Sequence, residues 1–153
     1  MSDKLRHRIE LEFEQIDQIF IAYADLLKQS QNQAPNLVEI TALASILHSF
    51  YNGLENVFSA IAKDIDRGMP AGPQWHRDLL FQMAQPTSNR QTVLKTRTMQ
   101  ELVLYLGFRH FYRHSYAFFL DWNEMEKLVI SLPKIWRQTK SELQEFLKGL
   151  SLE

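Results

Sequence analysis

Cysteine is absent from these 153 residues. Disulfides, thiolate metal sites and cysteine nucleophiles are therefore excluded, and the composition suits a reducing compartment. Long hydrophobic runs are also missing. The longest stretch without Asp, Glu, Lys or Arg is Ile40–Leu54, 15 residues that include His48, Ser49 and Asn52. That is short of the roughly 20 apolar residues a membrane-spanning helix needs. The opening MSDKLRHRIELEF is charged throughout and has no apolar core of a secretory signal. A soluble, cytoplasmic protein with no membrane contact is expected. The patterns G-x-x-x-x-G-K-[ST] and G-x-G-x-x-G do not occur, which removes phosphate cradles of those two kinds. Glycine and proline number only five each, so chain breaks are few.

What the chain does have is helical periodicity. Leu5, Ile9, Phe13, Ile16, Phe20, Tyr23 and Leu27 recur every three or four residues and share one helix face. QSQNQAPN ends that pattern, and Pro35-Asn36 is a natural restart. Leu43, Leu47, Phe50, Leu54, Val57, Ile61 and Ile65 mark a second long helix running to about Asp66. Its spacing passes through Asn52-Gly53, so Gly53 is a mid-helix residue. It costs roughly 1 kcal/mol relative to alanine and calls for a closely approaching neighbour. RGMPAGP is a loop, Trp75–Ala84 a short helix, and QPTSN another loop. Gln91–Leu106 reads as helix, and Asn123–Leu150 as a helix interrupted at Pro133, with Ser131 capping the restart. Strand-like alternation of useful length is missing. The expected fold is all-α, an antiparallel bundle of four to five helices in a single domain over residues 1–153. Ten Phe, five Tyr and three Trp leave apolar surface for a homodimer.

The formal net charge of −1 hides an asymmetry. Residues 1–85 carry −4 and residues 121–153 carry −1. Residues 86–120 carry +4, from Arg90, Lys95, Arg97, Arg109 and Arg113 against Glu101 alone. Such an island attracts an anionic partner locally; the alternative is a solvated basic helix face.

The island's densest part is RHFYRHSY, residues 109–116. His110 and His114 have the i, i+4 spacing of two metal ligands. Phe111 stands where H-E-x-x-H needs Glu, however, and Arg109 and Arg113 repel a cation. No metal and no cofactor are expected. Glu10, Glu12 and Glu14 do not face one another on a helix and read as surface charge. His7 and His76 have no convergent partners in sequence and read as surface or structural residues. His48, beside an apolar stripe, reads as a hydrogen-bonded core histidine. Phe108, Phe111, Tyr112, Phe118 and Phe119 all read as core.

On a straight helix Arg109 and Tyr116, seven residues apart, point within about 20° of each other. His114, five residues from Arg109, lies about 140° round. Either the helix breaks near Gly107, or the two side chains converge only when a second protomer supplies its own copy. Histidine moves protons near neutral pH, and arginine offers a fork to phosphate and to charge developing on it. RNA supplies its own nucleophile, the 2′-hydroxyl, so the pair suffices for phosphodiester cleavage without a metal. The plainer alternative is a basic helix end that packs or binds an anion.

The spacing Arg109-x4-His114-x-Tyr116 resembles the R-x4-H-x-Y signature of HepT-type ribonuclease toxins, a branch of the HEPN superfamily. LHSFYNGLENVFSAIAKDID (47–66), WHRDLL (75–80) and GFRHFYRHSY (107–116) are similar to the corresponding helices, over about residues 40–120. The resemblance implies a dimer whose two motifs line one cleft. It implies metal-independent endoribonuclease activity carried by Arg109 and His114, with Arg113 and His110 holding RNA; Arg97, from the same basic island, is a further candidate RNA contact. It also implies the setting of a type VII toxin–antitoxin system. There a MntA-like nucleotidyltransferase antitoxin transfers AMP onto Tyr116 and so occupies the cations RNA needs. A noncatalytic helical partner of a nucleotidyltransferase is the alternative.

Overall fold

Six α-helices carry the chain in the computed structural model, which describes residues 3–116 and 119–150. They are α1 (Asp3–Ala22), α2 (Ala24–Ser30), α3 (Leu37–Ile61), α4 (Trp75–Met83), α5 (Thr96–Arg113) and α6 (Trp122–Leu150). A single π-helical turn, Ala62–Asp66, extends α3. The described residues hold no strand, only an isolated bridge between Thr87 and Arg90. The fold is an all-α bundle, as the periodicity implies, with one helix more than expected.

α3 is the central helix and packs against α1, α4, α5 and α6. It begins where the sequence places it. Asn36 Oδ1 accepts from Glu39 N at 2.8 Å, and Glu39 Oε1 accepts from Asn36 N at 2.9 Å, a reciprocal cap that satisfies two otherwise orphaned donors. Its stripe of Leu43, Leu47, Phe50, Tyr51, Leu54 and Phe58 is fully buried, each side chain contributing roughly 1.5–3 kcal/mol. Gly53 sits mid-helix with α1 pressed against it. A Cβ there would lie 2.8 Å from Ile16 Cγ1, so the missing side chain is what lets α1 and α3 meet.

Three expectations need correction. The first helix breaks at Tyr23, whose backbone (φ −112°, ψ 23°) leaves helical geometry. The hydrogen bonds Tyr23 N to Ile19 O and Leu27 N to Tyr23 O bridge the break, so its cost is low. α6 is not interrupted at Pro133. Proline removes one helical hydrogen bond, costing ~3 kcal/mol, but buried Val129, Leu132, Ile135 and Trp136 on both sides hold the helix in place. Ser131 therefore caps nothing. Finally, Gln91–Lys95 is not helical. The Val93 and Leu94 amides donate to Met83 O at 2.9 and 3.0 Å while both side chains enter the core. α5 then starts at Thr96, with Glu142 of α6 accepting from Lys95 N at 2.7 Å and from Thr98 Oγ1 at 2.6 Å. A carboxylate from α6 thus caps the amino end of α5.

The basic island is also smaller than its formal charge. Arg90 is buried, and its Nε and Nη2 donate to the two carboxylate oxygens of Asp66 at 2.6 and 2.8 Å. Arg97 Nε lies 3.4 Å from Glu101 Oε1 one turn along α5. That leaves Lys95 at one end of α5 and the RHFYRHSY stretch at the other.

Candidate active site at the carboxyl end of α5

α5 runs unbroken through Gly107 and ends at Arg113. Arg109, in its penultimate turn, points at α3 and is only 9% exposed. Its Nε donates to Asn52 Oδ1 at 2.6 Å, and its Nη2 lies 3.9 Å from Glu55 Oε1. Glu55 is itself buried, and its two carboxylate oxygens accept from His76 Nδ1 of α4 at 2.8 and 2.9 Å. Asn52 and Glu55 are three residues apart, so one face of α3 presents both to the same guanidinium. Three helices thus position Arg109.

One turn earlier on α3, Asn52 Nδ2 lies 3.4 Å from both ring nitrogens of His48. The His48 ring packs against Tyr112 of α5, centroids 4.9 Å apart. Burial, then the Arg109 and Arg113 charges, hold the His48 imidazole below its ordinary pKa. Tyr51, also on α3, is buried with a hydroxyl that finds no hydrogen-bond partner among the described residues. Burial and the Glu55 carboxylate push that phenol up, with Arg109 opposing.

The remaining motif residues sit outside this interior cluster. His114 follows the last helical residue of α5 with a non-helical backbone (φ −115°, ψ 10°), and its N–H donates to Phe111 O at 3.1 Å. Its ring faces that of exposed His110 at 4.7 Å. Arg113 is exposed, and Tyr116 is 71% exposed beside Phe119. The alignment of Tyr116 with Arg109 on a continuous helix fails, because α5 stops at Arg113. Arg97 lies 12 residues from Arg109 on α5, about 18 Å along the axis, and the structure does not bring it to the site. Of the surrounding aromatics, Phe108 is buried and Tyr112 half-buried, whereas Phe111 and Phe119 are exposed. The core reading fails for those two, and Phe118 lies outside the described residues.

His76, read as a surface or structural residue, has a partner in Glu55 that the sequence did not indicate. Asn52, Glu55 and His48 also gain roles that periodicity did not assign. One signal was available: Glu55 is a lone acid on an otherwise apolar, buried face of α3. Its partner His76 is 21 residues away across a loop, beyond the reach of any helical spacing rule. Among the described residues no three His, Asp or Glu side chains gather as a metal cluster.

No curated protein and no solved structure matches the chain. A family model described as "HepT-like protein" does, over residues 42–150, which takes in α4 to α6, α3 from residue 42 onward, and every residue of the Arg109 cluster. The chain therefore belongs to the HepT-like family, within the HEPN-type toxin group.

Proposed function

We propose that the protein is the toxin of a HepT/MntA-like toxin–antitoxin pair and a metal-independent endoribonuclease. The observation that carries this reading is Arg109. It is a motif arginine held by Asn52 with Glu55 close by, at the helix end where His114 and Tyr116 are exposed. Arg109 would stabilise charge developing on a scissile phosphate. His114 would take the proton from the 2′-hydroxyl as that oxygen bonds to phosphorus. The phosphorus–O5′ bond then breaks, and the leaving oxygen takes a proton from the imidazolium of a second protomer. The products are a 2′,3′-cyclic phosphate and a 5′-hydroxyl.

A dimer supplies the second histidine. On α5, Leu104 (52% exposed) and Phe111 (44%) share one face with Gly107, beside which nothing lies within 4 Å of a would-be Cβ. This apolar stripe lies away from the face that carries Arg109 and runs to the turn holding His114. It suits close packing of a second copy. Arg113 and His110 would contact RNA. Tyr116 is accessible as the acceptor for AMP from the antitoxin. The soluble, cytoplasmic setting belongs to the same reading, and no helix among the described residues is long and apolar enough to cross a membrane.

The test is cleavage of RNA by purified protein in EDTA, and growth arrest on expression without an antitoxin. Arg109→Ala and His114→Ala should abolish both while keeping helical circular dichroism. His114→Ala protein that cuts RNA at the wild-type rate sinks the assignment. A second reading, a noncatalytic partner of a nucleotidyltransferase, draws on the same burial of Arg109, whose nearby carboxylate partly neutralises it. Normal growth with intact RNA favours that reading.

A further inference from the structure

Arg109 and His114 leave one feature of this helix end unexplained. A cavity of about 420 Å³ opens between α3 and the turn after α5, with Thr41, His48, Tyr112, Arg113, Ser115 and Tyr116 in its wall. That volume lies in the range of small-molecule sites. The wall offers hydroxyls, phenols, an imidazole and a guanidinium, and no carboxylate, so an anion meets no like charge there. Other cavities differ. Those along α6 that touch α5 or the segment before it contain Glu101, or Glu142 and Glu145. The groove between α2 and α6 has Lys28, Lys134 and Arg137 but no imidazole, phenol or hydroxyl.

His48 is the informative wall residue. A neutral imidazole offers a single N–H and no charge, which suits a carbonyl or ring-nitrogen acceptor of a nucleobase better than a phosphate. Its neutral form is favoured here by burial and by the Arg109 and Arg113 charges. Asn52 Nδ2, 3.4 Å from both ring nitrogens, can donate only to the unprotonated one, so the ring N–H is the group left to a ligand's acceptor. Tyr112 fixes the ring from one side at 4.9 Å. Arg113 is exposed and makes no ion pair among the described residues. Aromatic wall, hydrogen-bonding edge and phosphate-binding cation are the three parts a single-nucleotide site needs.

We propose that this cavity binds one nucleoside monophosphate unit, its base against His48 and Tyr112 and its phosphate on Arg113. The unit comes either from a bound RNA strand, in which case the inference rests on the ribonuclease reading, or from a nucleotide outside a strand.

The experiment follows the His48 Cε1–H resonance of the full-length protein by NMR. Free AMP, GMP, CMP and UMP are added in one arm, and an all-2′-deoxy oligonucleotide, which cannot be cut, in the other. Movement of the His48 signal in either arm supports the cavity and identifies the source. His48→Gln and Tyr112→Leu should then weaken that binding by about 5- to 150-fold, with Lys28→Gln, in the groove between α2 and α6, unchanged. A His48 signal unmoved by every probe overturns the proposal, as does unaltered affinity in both folded variants. Nucleotide binding through His48 by a protein that leaves RNA intact keeps the cavity and removes the ribonuclease reading. Arg109-dependent cleavage with a silent His48 signal does the reverse.

Discussion

Arg90 and Arg109 are both buried arginines from the same basic segment, and they are treated in opposite ways. A guanidinium has five N–H donors. Arg90 makes five hydrogen bonds, two to Asp66 and one each to the carbonyls of Gln85, Gln91 and Gln82, at 2.6 to 3.2 Å. Among the described residues Arg109 makes one, to Asn52, and approaches its carboxylate no closer than 3.9 Å. A buried cation left largely unsatisfied lowers stability. Burial with full satisfaction describes a structural arginine, whereas burial with most donors unspent describes one kept available for an anion.

The largest effect should fall on Arg90. Replacing it by methionine leaves Asp66, whose side chain is 4% exposed, as a buried charge with only the Gln82 amide donating to it at 2.7 Å, and should cost about 3–5 kcal/mol in urea unfolding. A variant as stable as wild type would show that Gln82 alone suffices for Asp66 and would erase the contrast. Arg109→Met should do the opposite. Glu55 keeps its hydrogen bonds to His76, so stability should stay within about 1 kcal/mol of wild type. RNA cleavage, in contrast, should fall about 100- to 1000-fold. If Arg109→Met unfolds as readily as Arg90→Met, Arg109 is structural and the proposed chemistry loses its centre.

Glu55→Gln sharpens the comparison at smaller scale. Glutamine keeps the shape that receives His76 but removes the charge beside Arg109. Cleavage should drop about 10- to 100-fold through misplacement of the guanidinium. The loss should appear in kcat with KM nearly constant, and Glu55→Asp should recover part of it. A variant that melts earlier yet turns over at the wild-type rate would make Glu55 a packing residue only.

The same contrast shows what the sequence could and could not reveal. Periodicity located α1 and α3, the start at Asn36 and the tight contact at Gly53, because each depends on neighbours within a few residues. Val93 and Leu94 misled, since an apolar pair inserting from a bent connecting segment looks like one turn of a buried helix. Pro133 misled in the other direction, because packing on both sides outweighed a local penalty. The signature residues Arg109, His114 and Tyr116 were legible as a spacing. What separates Arg109 from Arg90 was not, because Asp66, Glu55 and His76 reach their partners across 24, 54 and 21 residues. Only the packing of α3 against α4 and α5 decides which arginine is fully satisfied.

The smallest expected effect concerns Tyr51, whose hydroxyl lies in the interior behind Arg109 with no hydrogen bond among the described residues. If that interior is dry, the hydroxyl contributes nothing to stability. Tyr51→Phe should then leave stability within about 0.5 kcal/mol of wild type, because no hydrogen bond is lost and one buried polar atom is removed. A water held between Tyr51 and Glu55 changes the sign. The substitution would then break a bond and cost about 1–2 kcal/mol. The outcome bears directly on the arginines, since a dry interior strengthens the attraction between Glu55 and Arg109 and a wet one screens it. A neutral Tyr51→Phe together with a damaging Glu55→Gln would show that Arg109 is held by charge in a low-dielectric setting, despite the 3.9 Å gap.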